Sequence, residues 1–314
     1  MNQSPSAIGT PGTPWGAAEI ATWRGQHARA LRSYPDEVVT AIQALADRFE
    51  VVEYGELEHA PDRFTLFALR SRAWRNDLPV MLITGGVHGY ETSGVQGALQ
   101  FARDHGDDYQ GRANLLIAPC VSPWGYERHQ RWNADAVDPN RSFLEPPACT
   151  EAAALMRLVA PLADKVLMHI DLHETTDTDE SEFRPALAAR DGTPFEPGSI
   201  PDGFYLVDDA DNLQPAFQAA IIQAVSAVTH IAPADDDGQL IGSAMLAPGV
   251  IAYPCRPLGL CAGMTNARFR TTTEVYPDSP RSTPEQCNQA QVVAVRAAIE
   301  HALANPANAS EKQT

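Results

Sequence analysis

Basic residues are scarce in this sequence, with 23 lysines and arginines against 40 aspartates and glutamates and a formal net charge of −17. That balance argues against nucleic acid and anionic membrane as partners, because both require a basic footprint. It names no substrate, and a local basic pocket is compatible with an acidic shell. No apolar run approaches the length that spans a bilayer. Residues 1–15 are polar and rich in Pro, Gly and Ser, without the charged start and apolar stretch of a secretory signal, so none is expected. The five cysteines (Cys120, Cys149, Cys255, Cys261 and Cys287) are scattered and show no CxxC spacing. Reduced thiols in a cytoplasmic protein are the expectation.

What is present is an ordinary globular composition, 44% hydrophobic and 20% charged over 314 residues. Three short apolar runs, at 79–83, 114–120 and 166–171, lack polar alternation and read as strands buried on both faces. Residues 51–54 and 64–69 alternate like edge or sheet strands, and 250–253 and 270–275 read as late strands. Helical spacing marks two segments within 17–49, then 93–102, 150–163 with Thr150 as its cap, 213–231 and 284–303. The stretch 175–203 is polar, acidic and rich in Pro and Gly, and is expected to be a loop insertion. Residues 1–16 and 305–314 are expected to be flexible tails. Strands alternating with helices imply an α/β fold, one domain over 1–314, built on a mixed, mostly parallel twisted sheet with helices on both faces.

Two of the buried runs end in side chains that bind metals. The first is followed by two glycines and then His88 and Glu91; the third runs into Asp171, Leu172 and His173. If the two strands are parallel and end side by side, two nitrogens and a carboxylate oxygen converge. That is a catalytic zinc set, with three protein ligands and a fourth place for water. His169, inside the third strand, reads as a core histidine.

Between these segments lies RWNADAVDPNRSF at 131–143. With HGYE at 88–91 before it and DLH at 171–173 after it, the chain resembles the zinc carboxypeptidase family, over roughly 79–277. The resemblance extends to the family's bacterial cytosolic and murein-peptide-processing branches. It implies one zinc ion held by His88, Glu91 and His173, with Asp138 supporting the first histidine. It further implies Arg131 as the group that polarises the scissile carbonyl, and Asn140 with Arg141 as the grip on a terminal carboxylate, to which a guanidinium fork is suited. A late strand glutamate acting as general base falls on Glu274, and alternation puts Thr272 on the same face. Tyr253 stands near the place of a mobile tyrosine over the substrate carboxylate, with simple packing as the other reading. Pro139 departs from the family's usual pattern between the Asp and the Asn-Arg pair.

The expected activity is hydrolysis of an amide bond at the C-terminal end of a peptide or peptide-like substrate by a metal-activated water, with Glu274 as base. The succinylglutamate desuccinylase and aspartoacylase group also resembles this chain in its metal motif, its Asn-Arg pair and its late histidine. It offers an alternative, cleavage of N-acyl amino acids, although the strand at 272–274 favours the carboxypeptidase reading. A non-catalytic binding protein on the same fold is a third. Arg256 and Arg268 fall in the stretch that sets the family's pocket floor. They raise an acidic C-terminal residue or a cell-wall peptide as a preference, with a surface role as the equal alternative.

Overall fold

The structure is a computed structural model and describes residues 8–59 and 62–306. Its strands are β1 (Phe49–His59), β2 (Asp62–Ser71), β3 (Val80–Gly85), β4 (Asn114–Ala118), β5 (Val166–Glu174), β6 (Tyr205–Asp209), β7 (Gln239–Leu240), β8 (Ser243–Ala244), β9 (Val250–Tyr253) and β10 (Phe269–Val275). The helices are α1 (Ala17–Gln26), α2 (Thr40–Gln43), α3 (Thr92–His105), α4 (Pro123–Arg128), α5 (Thr150–Val159), α6 (Arg184–Asp191), α7 (Pro215–Val225) and α8 (Pro284–Ala304).

Eight strands form one sheet in the order β1-β2-β4-β3-β5-β10-β6-β9, and β7 pairs with β8 in a separate hairpin. Four of the seven neighbouring pairs are parallel: β3 with β4, β3 with β5, β5 with β10, and β6 with β9. The other three are antiparallel. The sheet is therefore mixed and mostly parallel, as its apolar runs imply.

Alternation within the central strands feeds two cores. Met81, Ile83, Leu115 and Ile117 join the larger core, which also takes in α3, α7 and α8. Val80, Leu82, Leu116 and Ala118 face the opposite way, onto α5. Each fully buried Leu, Ile or Met of these strands contributes about 1.5–3 kcal/mol. The larger core also fixes the start of α3, because Gly94 packs directly on β5. A Cβ at Gly94 would lie 2.3 Å from the Leu172 carbonyl oxygen. Contact that close brings the beginning of α3, and Glu91 just before it, up against the end of β5.

Several expectations need correction. The stretch 175–203 is not a plain loop: a π-helical turn at Asp179–Phe183 leads into α6. A Glu180–Arg184 pair at 2.6 Å and the Phe183 ring against Tyr90, centroids 4.7 Å apart, supply what polar composition concealed. Strand β6 was not foreseen, because it ends in two acids. Both are buried: Asp209 pairs with Arg270 at 2.6 Å, and Asp208 accepts from the backbone N–H of Gln214. Thr150 is the first residue of α5 rather than its cap, with Cys149 before it and no side-chain cap bond. Of the two expected tails, 1–7 and 307–314 lie outside the described residues. Within 8–16, Trp15 is docked: its N–H donates to the Arg190 carbonyl at 2.8 Å, and its ring meets Trp132 edge-on at 6.1 Å.

Candidate active site

Strands β3, β5 and β10 are neighbours at the centre of the sheet and run parallel, so their C-terminal ends open together. In this register His173 of β5 lies opposite Glu274 of β10. Paired residues on adjoining strands point to the same face. Asp171 is two residues before His173 and shares that face, with Thr84 of β3 beside it. The chain leaves β3 through Gly86 to His88. Position 89 must be glycine here, because a Cβ would lie 2.0 Å from the Tyr126 nitrogen.

His88, Glu91 and His173 converge, with one ligand atom from each lying within 4.8 Å of the others. All three are buried. Nδ1 of His88 is 2.7 Å from Glu91 Oε1, Nδ1 of His173 is 2.7 Å from Glu91 Oε2, and the two Nδ1 atoms are 3.2 Å apart. The outward nitrogens are taken by carboxylates: His88 Nε2 lies 2.9 Å from Asp138 Oδ1 and His173 Nε2 lies 2.6 Å from Asp171 Oδ2. A carboxylate can only accept, so with a metal bound on the Nδ1 side both Nε2 atoms would donate outward and both Nδ1 lone pairs would turn inward. Glu91 Oε2 is buried without an aligned hydrogen-bond donor despite its short distance to His173. Two imidazole nitrogens and a carboxylate aimed at one point, with supported outer nitrogens, fit a single zinc ion.

The electrostatics agree with such a site. Burial opposes ionisation of Glu91, but His173 and His88 outweigh it and hold the carboxyl down to about 2. Burial likewise opposes a charged His173, yet Asp171 and Glu91 raise it well above the usual imidazole range. Without a metal the cluster is thus held by a proton, which metal binding must displace.

The loop after α4 supplies the next layer. The Asn133 side chain accepts from the N–H groups of Asp135 and Val137 at 3.0 and 3.1 Å, closing a turn in which Ala136 takes a positive φ of 55°. That turn folds Arg131 back on Asp138, and Arg131 Nε donates to Asp138 Oδ2 at 3.1 Å. Asp138 also accepts from the Asn140 N–H at 2.9 Å, and Pro139 occupies the first position of the short 3-10 turn that follows. Proline suits that position, because the missing N–H would have no partner there.

Arg131 also donates to Asp179 Oδ1 at 3.2 Å, and Tyr90 Oη donates to the same carboxylate at 2.8 and 2.9 Å. Asp138 sits well below the usual carboxylate range: burial opposes this, but Arg131 and His88 prevail. Asp179, Glu174 and Asp171 were not singled out from the sequence. Glu174 accepts from the N–H groups of Thr92 and Ser93 at 3.0 and 2.7 Å and so caps α3. The acidic run around them looked solvated, yet these side chains are buried.

Above the cluster lies a cavity of about 990 Å³ whose walls include His88, Arg131, Asp138, Asn140, Arg141, Tyr253 and Glu274. Burial pushes the Glu274 carboxyl up to about 7, while Thr175 Oγ1 donates to it at 2.8 Å. Arg141 is exposed to the cavity. Among the described residues it has no carboxylate within 4.0 Å, whereas Arg131, Arg184 and Arg190 on the same walls are all paired. Asn140 is engaged already, its Oδ1 accepting from the Cys261 N–H at 2.7 Å. Tyr253 reaches the wall from the end of β9, with Ser243 donating to its Oη at 3.3 Å.

Arg256 and Arg268 do not reach this cavity. Arg256 is exposed and donates to the Thr265 carbonyl and to Asn266 Oδ1, and Arg268 lies over Phe269 on the surface. The turn at 254–259 points Cys255 inward and Arg256 out. The acidic-residue preference drawn from these two arginines therefore has no structural support. His169 is fully buried, 3.1 Å from Thr84 Oγ1, and serves the core.

Comparison with solved structures places this geometry. A candidate metallopeptidase from Shewanella amazonensis superposes with a TM-score of 0.65 at 19% identity, covering 85% of this chain and 92% of that one. The chain has the zinc carboxypeptidase fold. The same fold relates it to a metallo-carboxypeptidase from Pseudomonas aeruginosa, solved in complex with (2-guanidinoethylmercapto)succinic acid (TM-score 0.57, 14% identity, 85% of this chain and 69% of that one). Bovine thrombin-activatable fibrinolysis inhibitor, solved with a tick carboxypeptidase inhibitor, gives a TM-score of 0.56 at 13% identity, covering 94% and 99%. At these identities what is shared is the zinc carboxypeptidase fold. A family model for the succinylglutamate desuccinylase/aspartoacylase catalytic domain matches residues 77–190, which hold every metal-binding candidate but not Glu274. No curated protein matches the chain.

Proposed function

We propose that the protein is a zinc-dependent hydrolase that cleaves an amide bond next to a free carboxylate, at the C-terminal end of a peptide or peptide-like substrate. The observation that carries this reading is the pairing of His173 with Glu274 across adjoining strands. It sets a carboxyl raised to about 7 beside the His-Glu-His cluster and at the edge of the cavity.

His88, Glu91 and His173 would hold a zinc ion, which when bound would supply Lewis acidity for activating water near neutral pH. Glu274, opposite His173 and on the cavity wall, is placed to take a proton from the attacking water and to pass it to the leaving amine. Arg131, locked between Asp138 and Asp179, holds a fixed positive charge for the oxygen of the carbonyl under attack. Among the described residues Arg141 has no carboxylate within 4.0 Å, which leaves it available to a substrate carboxylate, with Asn140 and Tyr253 beside it. Asp138 and Asp171 fix the tautomers of the two histidines.

A second reading, hydrolysis of an N-acyl amino acid, draws support from the family match over 77–190. It uses the same groups, because such a substrate also presents an amide and a carboxylate. A cytoplasmic location and a single domain over 1–314 belong to the same proposal, in keeping with the five free cysteines.

The test begins with elemental analysis of the purified protein and of His88→Ala. About one equivalent of zinc in the first and almost none in the second is expected. Dipeptides and N-acyl amino acids ending in a carboxylate are then compared with their amidated counterparts. Bound zinc without turnover on any of them would favour a non-catalytic protein on the same fold.

A further inference from the structure

The cavity extends well past the metal cluster, and its two sides differ in chemistry. On one side Arg141 presents a guanidinium with no carboxylate within 4.0 Å among the described residues. The other side, beyond Arg131, is walled by Trp15, Ile20, Trp132, Val137, Phe183 and Leu187. These come from three separate stretches of chain. Phe183 and Leu187 are four residues apart on the helical segment that continues into α6, and so lie on one face.

The wall is built rather than loosely draped. The Arg190 guanidinium lies 4.7 Å over the Trp132 ring and donates to the Ala136 carbonyl at 2.9 Å. The Arg190 carbonyl receives the Trp15 N–H, and Trp15 meets Trp132 edge-on. Phe183 rests on Tyr90, whose ring stacks 6.2 Å from that of His88, so the apolar wall begins next to the metal ligands. The guanidinium groups around it already have carboxylate partners within the protein: Arg184 has Glu180, Arg190 has Asp191, and Arg131 has Asp138 and Asp179.

We propose that this wall binds the acyl side of the scissile amide, and that the preferred substrates carry an apolar group there. That group is a medium-length alkyl or an aromatic acyl chain, or an apolar side chain on the residue before the scissile bond. The inference rests on the reading of the cavity as an amide-hydrolase site with Arg141 on the carboxylate. A substrate anchored at Arg141 with its carbonyl over the cluster extends its acyl side towards Arg131 and Phe183. No unpaired cation is available there among the described residues, so an acyl group ending in a carboxylate has no partner and loses its hydration. An alkyl group gains by burial, about fourfold in affinity for each fully covered methylene.

The experiment uses the zinc-loaded full chain and three N-acyl derivatives of one amino acid, for each of several amino acids: N-acetyl, N-succinyl and N-hexanoyl. Turnover is measured with the wild type. Binding is measured calorimetrically with Glu274→Gln, so that an answer does not depend on activity. The hexanoyl compounds should exceed the acetyl by at least about tenfold in kcat/KM and in affinity, the gain expected if only about two of their four extra methylenes are fully covered, and succinyl should rank last. Leu187→Asp, at a position 40% exposed and tolerant of change, should pull the hexanoyl-to-acetyl ratio towards one. Trp15→Ser is the second variant and should act in the same direction. Equal use of hexanoyl and acetyl, or a preference for succinyl, would overturn the proposal. Tighter hexanoyl binding with no hydrolysis of any derivative would uphold the apolar subsite while removing the hydrolase reading.

Discussion

Glu274→Gln should weaken catalysis and strengthen the fold, and the second effect follows from the first group's environment. Burial raises the Glu274 carboxyl from 4.5 to about 7. Between those values the folded state binds a proton that the unfolded chain has already lost, so stability falls as pH rises through the window. The gap corresponds to about 3 kcal/mol at full effect, and the partial exposure of the side chain discounts it to about 1–3 kcal/mol. Gln does not titrate, and it retains an oxygen to accept the Thr175 hydroxyl. The variant should therefore match the wild type at pH 4.5 and exceed it at pH 8. For a chain of 314 residues the unfolding entropy is about 0.7 kcal/mol per degree, so a gain of 2 kcal/mol raises Tm by about 3 °C. The assay is thermal unfolding of chelator-treated protein at both pH values, since a bound cation near His173 would itself lower the Glu274 pKa. With zinc restored, turnover should fall by about 10²–10⁴ while metal content is unchanged. A lower Tm for the variant at pH 8, or activity close to wild type, would refute the assignment of Glu274 as a buried base.

Three further outcomes are expected. Asp171→Asn removes the acceptor that fixes His173 and should weaken zinc binding by about 10–100-fold in competition with a chromophoric chelator; unchanged affinity would show that Asp171 does not support the ligand. Arg141→Lys keeps the charge but loses the fork. It should raise KM about tenfold for substrates with a free carboxylate and leave amidated analogues unaffected, and an equal effect on both would remove Arg141 from carboxylate recognition. Burial lowers His169 to about 4, so the unfolded chain takes up a proton there before the folded one does. Stability should fall by up to about 3 kcal/mol as pH drops from 6.5 to 4, and His169→Gln should flatten that slope in urea titrations.

The parts of the fold that could be read in advance are those with a single cause. Strands β3, β4 and β5 are apolar on both faces because both faces carry a core, and their shortness and flanking turn residues mark them as strands rather than helix. Strand β6 hides among acids because its end is held by Asp209–Arg270, a pairing across 61 positions that no local window contains. Helix α6 is polar overall, and its order comes from Phe183 on Tyr90 and from Arg190 over Trp132, contacts that tertiary structure supplies. Local spacing could not have separated it from a solvated insertion.

The same distinction runs through the site. Ligand chemistry limits the residue types at a zinc centre, so a histidine and glutamate after one buried strand and a histidine after another are conspicuous in sequence. The groups that orient them are held to no such spacing. Asp171 was within reach of reasoning, because a carboxylate two residues before His173 on a buried strand has to share its face. Asp179 was not: it matters through Arg131, 48 residues earlier, and looks like one of several solvent-facing acids. Arg256 failed for the converse reason, since its stretch of sequence could be assigned to the pocket while the direction of its side chain depended on how a turn resolved. A residue's type suggests what it can do, but only the register of the sheet gives it partners. Here that register sets His173 against Glu274, and a slip of one residue would turn the base away from the cluster while leaving every motif in the sequence intact.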